Sequence, residues 1–202
     1  MGTLFEDKGL LIPNNRQPEY NTDPIFINRW SPRAFDPTPI PKDVLMSIFE
    51  AARWSMSCYN DQPWLFMVAV EEEDLKLYRS LLVEWNQKWA RKAPVLGFIF
   101  AKKRFDRNDK PNDWAQFDTG AAWMAMSLQA RILGLYTHGM AGFDREGIYD
   151  ALGVSKDDYT ALAAFTIGRY GDPEKLPEDM KKTESPNARK PLSEILVFGK
   201  KK

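Results

Sequence analysis

The stretch from residue 29 to residue 64 constrains this chain more than any other. It opens Arg29-Trp30-Ser31-Pro32-Arg33, two arginines four apart with a hydroxyl between them. It closes Ser55-Met56-Ser57-Cys58-Tyr59-Asn60-Asp61-Gln62-Pro63-Trp64, dense in hydroxyl and amide side chains. Arginine carries a planar fork of donors that stays protonated, which matches a phosphate. Side-chain amides both donate and accept, which suits a flat ring with alternating carbonyls and N–H groups. Between the two ends lies one amphipathic segment. Pro41 suits the first helical position and Asp43 the first turn, while Val44, Leu45, Ile48, Phe49 and Ala52 share one face at helical spacing. That face is core, and the helix sets the distance between the polar ends. Two arginines alone would read as a solvated loop. With Asn60 and Gln62 across the helix, the ends read as two halves of a cradle for an anion that carries a large ring.

Composition narrows the alternatives. A chain of 202 residues, 44% hydrophobic and 13% aromatic, is one domain with a sizeable core. Lysine plus arginine equals aspartate plus glutamate, 28 each, so no basic excess points to nucleic acid. The single cysteine, Cys58, excludes an intrachain disulfide and argues against a metal cluster. With no activating base beside it, Cys58 reads as loop filler. The N-terminus has no basic region followed by an apolar run, and no stretch reaches membrane-spanning length. The expectation is a cytoplasmic protein without a membrane or nucleic-acid partner.

The remaining segments follow the chain. Residues 1–24 hold three prolines and three asparagines without periodicity and read as an irregular arm ahead of one domain over 25–202. Residues 64–70 read as a strand, 71–82 as a polar-headed helix, and 94–101, continuously apolar, as a buried strand. Residues 104–113 read as a charged loop. Residues 114–133 form the longest helix, apolar over much of its circumference and ended by Gly134. Residues 135–143 carry two glycines, Gly139 and Gly142, that let backbone approach a ligand closely. Asp144 reads as the N-cap of a short helix closing at Gly153. Residues 159–169 read as a strand and 171–186 as an extended connection. His138 is the only histidine; a lone histidine is more often structural, and it reads at most as pocket lining.

The pattern Arg29-x-Ser31-x-Arg33-x-Phe35, a short helix, then Ala52-Arg53-Trp54-x-x-Ser57-x-x-Asn60-x-Gln62-Pro63-Trp64 resembles the nitroreductase family of FMN-dependent oxidoreductases. Both halves at this spacing are far more specific than either alone. Met56 departs from the pattern, standing where the family often has proline. The resemblance covers roughly residues 25–200 and implies an α+β sandwich, a central mostly antiparallel sheet flanked by helices. It also implies a homodimer, with FMN in the cleft between subunits and the last strand of each chain added to the partner's sheet.

It further assigns roles. Arg29, Trp30, Ser31, Ser57, Asn60 and Gln62 would surround the cofactor, and Arg33 would be the cation near N1 and O2 of the flavin. Asn86, ahead of Ala93-Pro94 and a strand, matches an asparagine near the ring, although spacing alone allows a helix C-cap. Met140, Ala141 and Gly142 match the turn whose backbone N–H faces flavin N5. In the closing element 187–198, Arg189, with Lys190 second, would return to the phosphate. Trp114 and Phe117, with Trp123, are candidates for stacking a flat acceptor beside His138, though on periodicity such aromatics are more often core. The reaction implied is ping-pong: NADH or NADPH reduces the flavin, and a small-molecule acceptor (nitroaromatic, quinone or free flavin) reoxidises it, with the flavin rather than a catalytic side chain doing the chemistry. No Gly-x-Gly-x-x-Gly follows a strand, so a separate dinucleotide-binding fold is not expected. A reductive dehalogenase or flavin-degrading oxygenase of the same superfamily, and a flavin-binding protein without turnover, are the alternatives.

Overall fold

Apolar runs and helical faces sort themselves around one sheet. The structure, a computed structural model, describes residues 14–201; the first part of the expected N-terminal arm, residues 1–13, lies outside them. The elements in order are α1 (Pro24–Asn28), β1 (Phe35–Asp36), α2 (Lys42–Arg53), β2 (Trp64–Ala69), α3 (Glu72–Ser80), α4 (Glu84–Ala90), β3 (Val95–Lys102), α5 (Ala115–Ile132), β4 (Tyr136–Met140), α6 (Gly147–Leu152), β5 (Tyr159–Tyr170), α7 (Glu178–Lys181) and α8 (Leu192–Ile195).

All strand pairings are antiparallel. β3 lies between β2 and β5, β4 lines the other side of β5, and β1 joins the end of β5. β3 is buried almost throughout, as its unbroken apolar run requires when both faces of a sheet are covered. On one face, Leu45, Ile48 and Ala52 of α2 and Ala122, Met126 and Ala130 of α5 pack on Val95, Ile99, Phe165 and Ile167. On the other, Leu75 and Tyr78 of α3, Trp89 of α4 and Ile148 of α6 pack on Leu96, Phe98 and Phe100. This is the expected α+β sandwich. At the end of α5, Gly134 adopts φ 77°, a left-handed conformation that costs other residues a Cβ clash.

Residues 136–140, to which the sequence assigned no element, form strand β4: Tyr136 and Thr137 favour a pleated surface, and the free edge of β5 supplies the ladder. Three local expectations differ. Asn86 is the third residue of α4 and not a C-cap. The connection after β5 contains a short turn of 3-10 helix at Pro173–Lys175 and then α7. The closing segment begins as α8 and forms no strand among the described residues.

Among the described residues no helix is long and apolar enough to cross a membrane, and no group of His, Cys, Asp and Glu could hold a metal ion.

Candidate functional site

Three guanidinium groups gather where the chain's two ends meet. α1 is started by Asp23, whose side chain accepts from the Ile25 amide at 2.9 Å, and it ends at Arg29, whose own amide bonds Ile25 O at 2.9 Å. Those bonds hold Arg29 at the mouth of the helix. Arg189, 160 positions later, donates to Asn187 Oδ1 at 2.8 Å. Arg16, from the N-terminal arm, completes the group. Its Nη1 donates to the carbonyls of Ile27 and Arg29, each at 2.9 Å, and its Nε and Nη2 to Asn187 O at 2.7 Å and Asn187 Oδ1 at 3.0 Å. Arg29 is half-buried, and among the described residues its guanidinium has no hydrogen-bond or ion-pair partner. Burial, then the like charge of Arg189, holds its pKa below the usual arginine value. Arg16 is lowered by burial, then by Arg189 and Arg29. A buried cation without a counter-charge, crowded by others, is costly unless an anion completes it.

A second cluster surrounds Arg33. Its Nη1 lies 3.9 Å from Glu184 Oε2. Glu184 Oε1 accepts from the amides of Arg33 at 2.8 Å and Ala34 at 2.9 Å, pinning the segment before β1. Burial pushes the Glu184 carboxyl up, against those two bonds and the Arg33 charge. His138 on β4 sits 2.8 Å by Nδ1 from Pro32 O. A carbonyl only accepts, so Nδ1 carries the proton. The ring lies 4.4 Å from Trp89, and burial holds its pKa down at about 4, so the imidazole is neutral near pH 7.

Where β4 ends, Gly142 O accepts from Asn86 Nδ2 at 2.9 Å and from the Val83 amide at 3.2 Å. A Cβ at position 142 would stand 2.7 Å from Val83 Cγ2 and 2.9 Å from Asn86 Nδ2, so a larger residue here would push both side chains aside, the Asn86 amide that bonds Gly142 O among them.

The loop ahead of β2 is a third cluster. Tyr59, Asn60 and Gln62 all have positive φ, 53°, 58° and 52°, a conformation that costs non-glycine residues about 1 kcal/mol or more each. Bonds within and around the loop hold it. Ser57 Oγ accepts from the Gln62 amide at 3.0 Å, and Gln62 Nε2 donates to Asn60 O at 3.0 Å. Asp61 accepts from the Asp106 amide at 3.0 Å and Asn112 Nδ2 at 3.1 Å, and Arg107 lies 3.9 Å over the Tyr59 ring. Strain of this kind concentrates at functional sites. Trp54, Met56, Tyr59, Trp114 and Phe117 are all exposed around it.

The sequence assigned both halves to one cradle, and within a single chain they stand apart. The Cys58 amide bonds Asp118 Oδ2 at 2.9 Å, near the start of α5. Trp30 packs on Tyr136, which lies under Arg131 at the end of α5. Thirteen residues of helix separate Asp118 from Arg131, about 20 Å at 1.5 Å per residue. Ser57, Asn60 and Gln62 therefore do not join Arg29 and Arg189 in one copy, nor do Trp114 and Phe117 join His138.

Individual assignments shift as well. The Trp30 indole is 4% exposed, wedged against Tyr136 and Tyr170, and the Met140 side chain is core, leaving backbone as their means of meeting a ligand. Lys190 turns to Glu194 at 3.6 Å. His138 is enclosed by Pro32 and Trp89 instead of lining an open pocket. Ser31 is half-buried in the segment between the two arginines, and Ala141 is exposed. Arg16 and Glu184 were not anticipated; an arginine in an aperiodic arm and a glutamate in a charged connection carry no local signal.

Comparisons with known proteins identify the family and the fold. The sequence model of the nitroreductase family matches residues 27–86 and 78–169, and the chain belongs to that family. It is 41% identical to an oxidoreductase whose crystal structure contains FMN, over 94% of this chain and 97% of that one, with a TM-score of 0.89. A nitroreductase-type protein of Exiguobacterium sibiricum 255-15, solved in complex with FMN, shares the fold: TM-score 0.75, 23% identity, 91% of this chain and 99% of that one. YdgI of Bacillus subtilis (strain 168), provisionally named an NAD(P)H nitroreductase, is 25% identical over 73% of this chain and 88% of its own length.

Proposed function

We propose that this protein is an FMN-dependent oxidoreductase that takes electrons from NADH or NADPH and passes them to a flat acceptor such as a nitroaromatic, a quinone or a flavin. The observation that carries the reading is the half-buried Arg29 guanidinium, with Arg189 beside it and no acceptor among the described residues. That donor set fits a phosphate monoester: two permanent cations, with bidentate geometry available. Bound there, FMN would supply the hydride-accepting and electron-donating chemistry. The chain's own residues would position and polarise it. Arg29 and Arg189 would hold the phosphate, while Arg33, with its guanidinium partly exposed, would stabilise negative charge on the pyrimidine side of the ring. The close backbone approach at Gly142, tied to Asn86, would bring main-chain N–H groups to the redox edge. His138, neutral and bonded to Pro32, would hold the Arg33 segment without moving a proton.

The active unit is a homodimer in this reading. The strained loop with Ser57, Asn60 and Gln62 belongs to a second copy's half of the site, which the 20 Å separation within one chain supports. The sheet edge supports it too. Beside β2 runs a groove of about 1080 Å³, walled by Leu45, Met46 and Phe49 of α2, Phe66 and Val68 of β2, and Leu75 of α3. The tail exposes Ile195, Leu196, Val197 and Phe198. An apolar tail and an apolar open edge complement one another by strand addition between copies.

The test is the visible spectrum of the purified protein, with FMN added if it is colourless, followed anaerobically as NADH or NADPH is introduced. A yellow protein that bleaches on reductant and recovers with a quinone supports the proposal. A protein that takes up no FMN ends it.

A further inference from the structure

Arg29 and Arg189 lie 160 positions apart in sequence, and among the described residues neither bonds the other's segment. We infer that Arg16 is the positioning residue of the phosphate end, a side chain that fixes these two arginines relative to each other. The inference rests on the phosphate reading above.

The geometry is that of a bridge. One edge of the Arg16 guanidinium, Nη1, takes the carbonyls of Ile27 and Arg29, both at 2.9 Å. The other edge, Nε and Nη2, takes Asn187 O at 2.7 Å and Asn187 Oδ1 at 3.0 Å. Asn187 Oδ1 also accepts from Arg189 Nη1 at 2.8 Å, so the Asn187 amide is a neutral clip between two cations. The planar fork reaches in both directions at once, which an ammonium on a flexible stem does not reproduce. Two further ties set the arm in place. Asn14 Nδ2 donates to Ile27 O at 2.8 Å, and the Leu192 amide donates to Glu19 at 3.1 Å.

The electrostatics give the bridge a dependence on ligand. Three guanidinium groups close together repel, and the pKa values of Arg16 and Arg29 are both lowered in part by their neighbours. A doubly charged phosphate among them converts that repulsion to attraction. Four of the five Arg16 N–H donors are taken by carbonyl oxygens, so it acts on the phosphate chiefly by charge and by holding Arg29 and Arg189. Binding of the phosphate and closure of the arm on the tail are then coupled, and a ligand lacking the phosphate gains nothing from the bridge.

Riboflavin is that ligand: the same ring and ribityl chain without the phosphate. The experiment measures dissociation constants of the full-length protein for FMN and riboflavin by fluorescence quenching, in wild type, Arg16→Ala, Arg16→Lys and Arg29→Ala. In both Arg16 variants the FMN constant rises about tenfold or more, the scale of one or two lost charge-assisted bonds, while the riboflavin constant stays within about twofold. Lysine restores the charge but not the fork, so only partial recovery is expected from it. Equal weakening of both ligands would mean that Arg16 merely supports the fold, and no change in either would mean that it does nothing here; each overturns the inference. Arg29→Ala separates the two readings. If it removes the preference for FMN and the Arg16 variants do not, the bridge alone fails. If the preference survives Arg29→Ala, the phosphate site itself is wrong and the bridge falls with it. Should Arg16→Ala not fold, Arg16→Lys carries the same comparison.

Discussion

Asn86 Nδ2 donates to the carbonyl oxygen of Gly142 at 2.9 Å, tying the first turn of α4 to the end of β4. The contact exists because Gly142 has no Cβ; a methyl there would overlap Val83 and Asn86. Gly142→Ala should therefore cost about 1–3 kcal/mol of stability by overpacking and weaken FMN binding by moving the backbone expected at the redox edge. Asn86→Ala should cost about 1 kcal/mol, because Gly142 O keeps its bond from the Val83 amide. Urea unfolding of the two variants beside wild type checks the order.

Glu184 Oε1 holds two consecutive amides, those of Arg33 and Ala34. Replacing it by alanine strands both N–H groups in a site where the carboxylate side chain is 2% exposed, and should cost about 2–4 kcal/mol. Glutamine keeps an oxygen in place and should cost less than half as much. The same glutamine variant removes the negative partner of Arg33. If Arg33 faces the ring as proposed, the reduction potential of bound FMN should rise in Glu184→Gln and fall in Arg33→Ala. A spectroelectrochemical titration reads both signs, and unchanged potentials in both variants would remove Arg33 from the ring.

How much of this was legible in the sequence follows from range. The 42–53 helix, the buried strand 95–102 and the long helix 115–132 carry periodic or continuous apolar patterns, and a pattern within one element needs no tertiary context. The motif spacing from Arg29 to Trp64 pointed to the family. What the sequence hid depends on contacts across the chain. β4 is a strand because β5 offers an edge. Trp30 is core because Tyr136 and Tyr170 close around it. Arg16 matters because Asn187 stands beside it. The two polar ends of the motif do not meet in one chain because α5 lies between them, a distance that residue spacing does not encode.

Asp61 anchors a loop in which Tyr59, Asn60 and Gln62 are all left-handed. Asp61→Ala removes two acceptor bonds and with them the constraint that maintains the strain. Relaxation of the backbone returns part of that energy, so the net loss of stability should be modest, about 1–2 kcal/mol. Order should suffer more than stability. Limited proteolysis should cut the variant within residues 57–62 at a protease concentration that leaves wild type intact. Equal resistance would mean that Ser57 and the Arg107–Tyr59 stacking hold the loop without Asp61.

His138 gives the chain a pH dependence whose sign is fixed by burial. Its pKa falls from 6.5 in the unfolded chain to about 4 in the fold, chiefly through burial, with the bond to Pro32 opposing and the Arg33 charge adding to the drop. Between those two values the unfolded chain binds a proton that the folded one refuses, so stability is lost as pH falls from about 6.5 to about 4, up to about 3 kcal/mol in all. Glu184 runs the other way. Its carboxyl is raised by burial, so the fold takes up that proton before the unfolded chain does, and acidification there adds stability. The two are separated by His138→Phe, which keeps a ring against Trp89 and removes only the imidazole titration. At neutral pH the variant should be less stable by about 1–2 kcal/mol, for the lost bond to Pro32 O. As pH is lowered to 4 the gap should close and then reverse, because wild type alone carries the histidine penalty. Urea unfolding at half-unit steps from pH 7 to pH 4 measures the difference directly, and two stability curves running parallel across that range would show that the imidazole does not titrate as its enclosure requires.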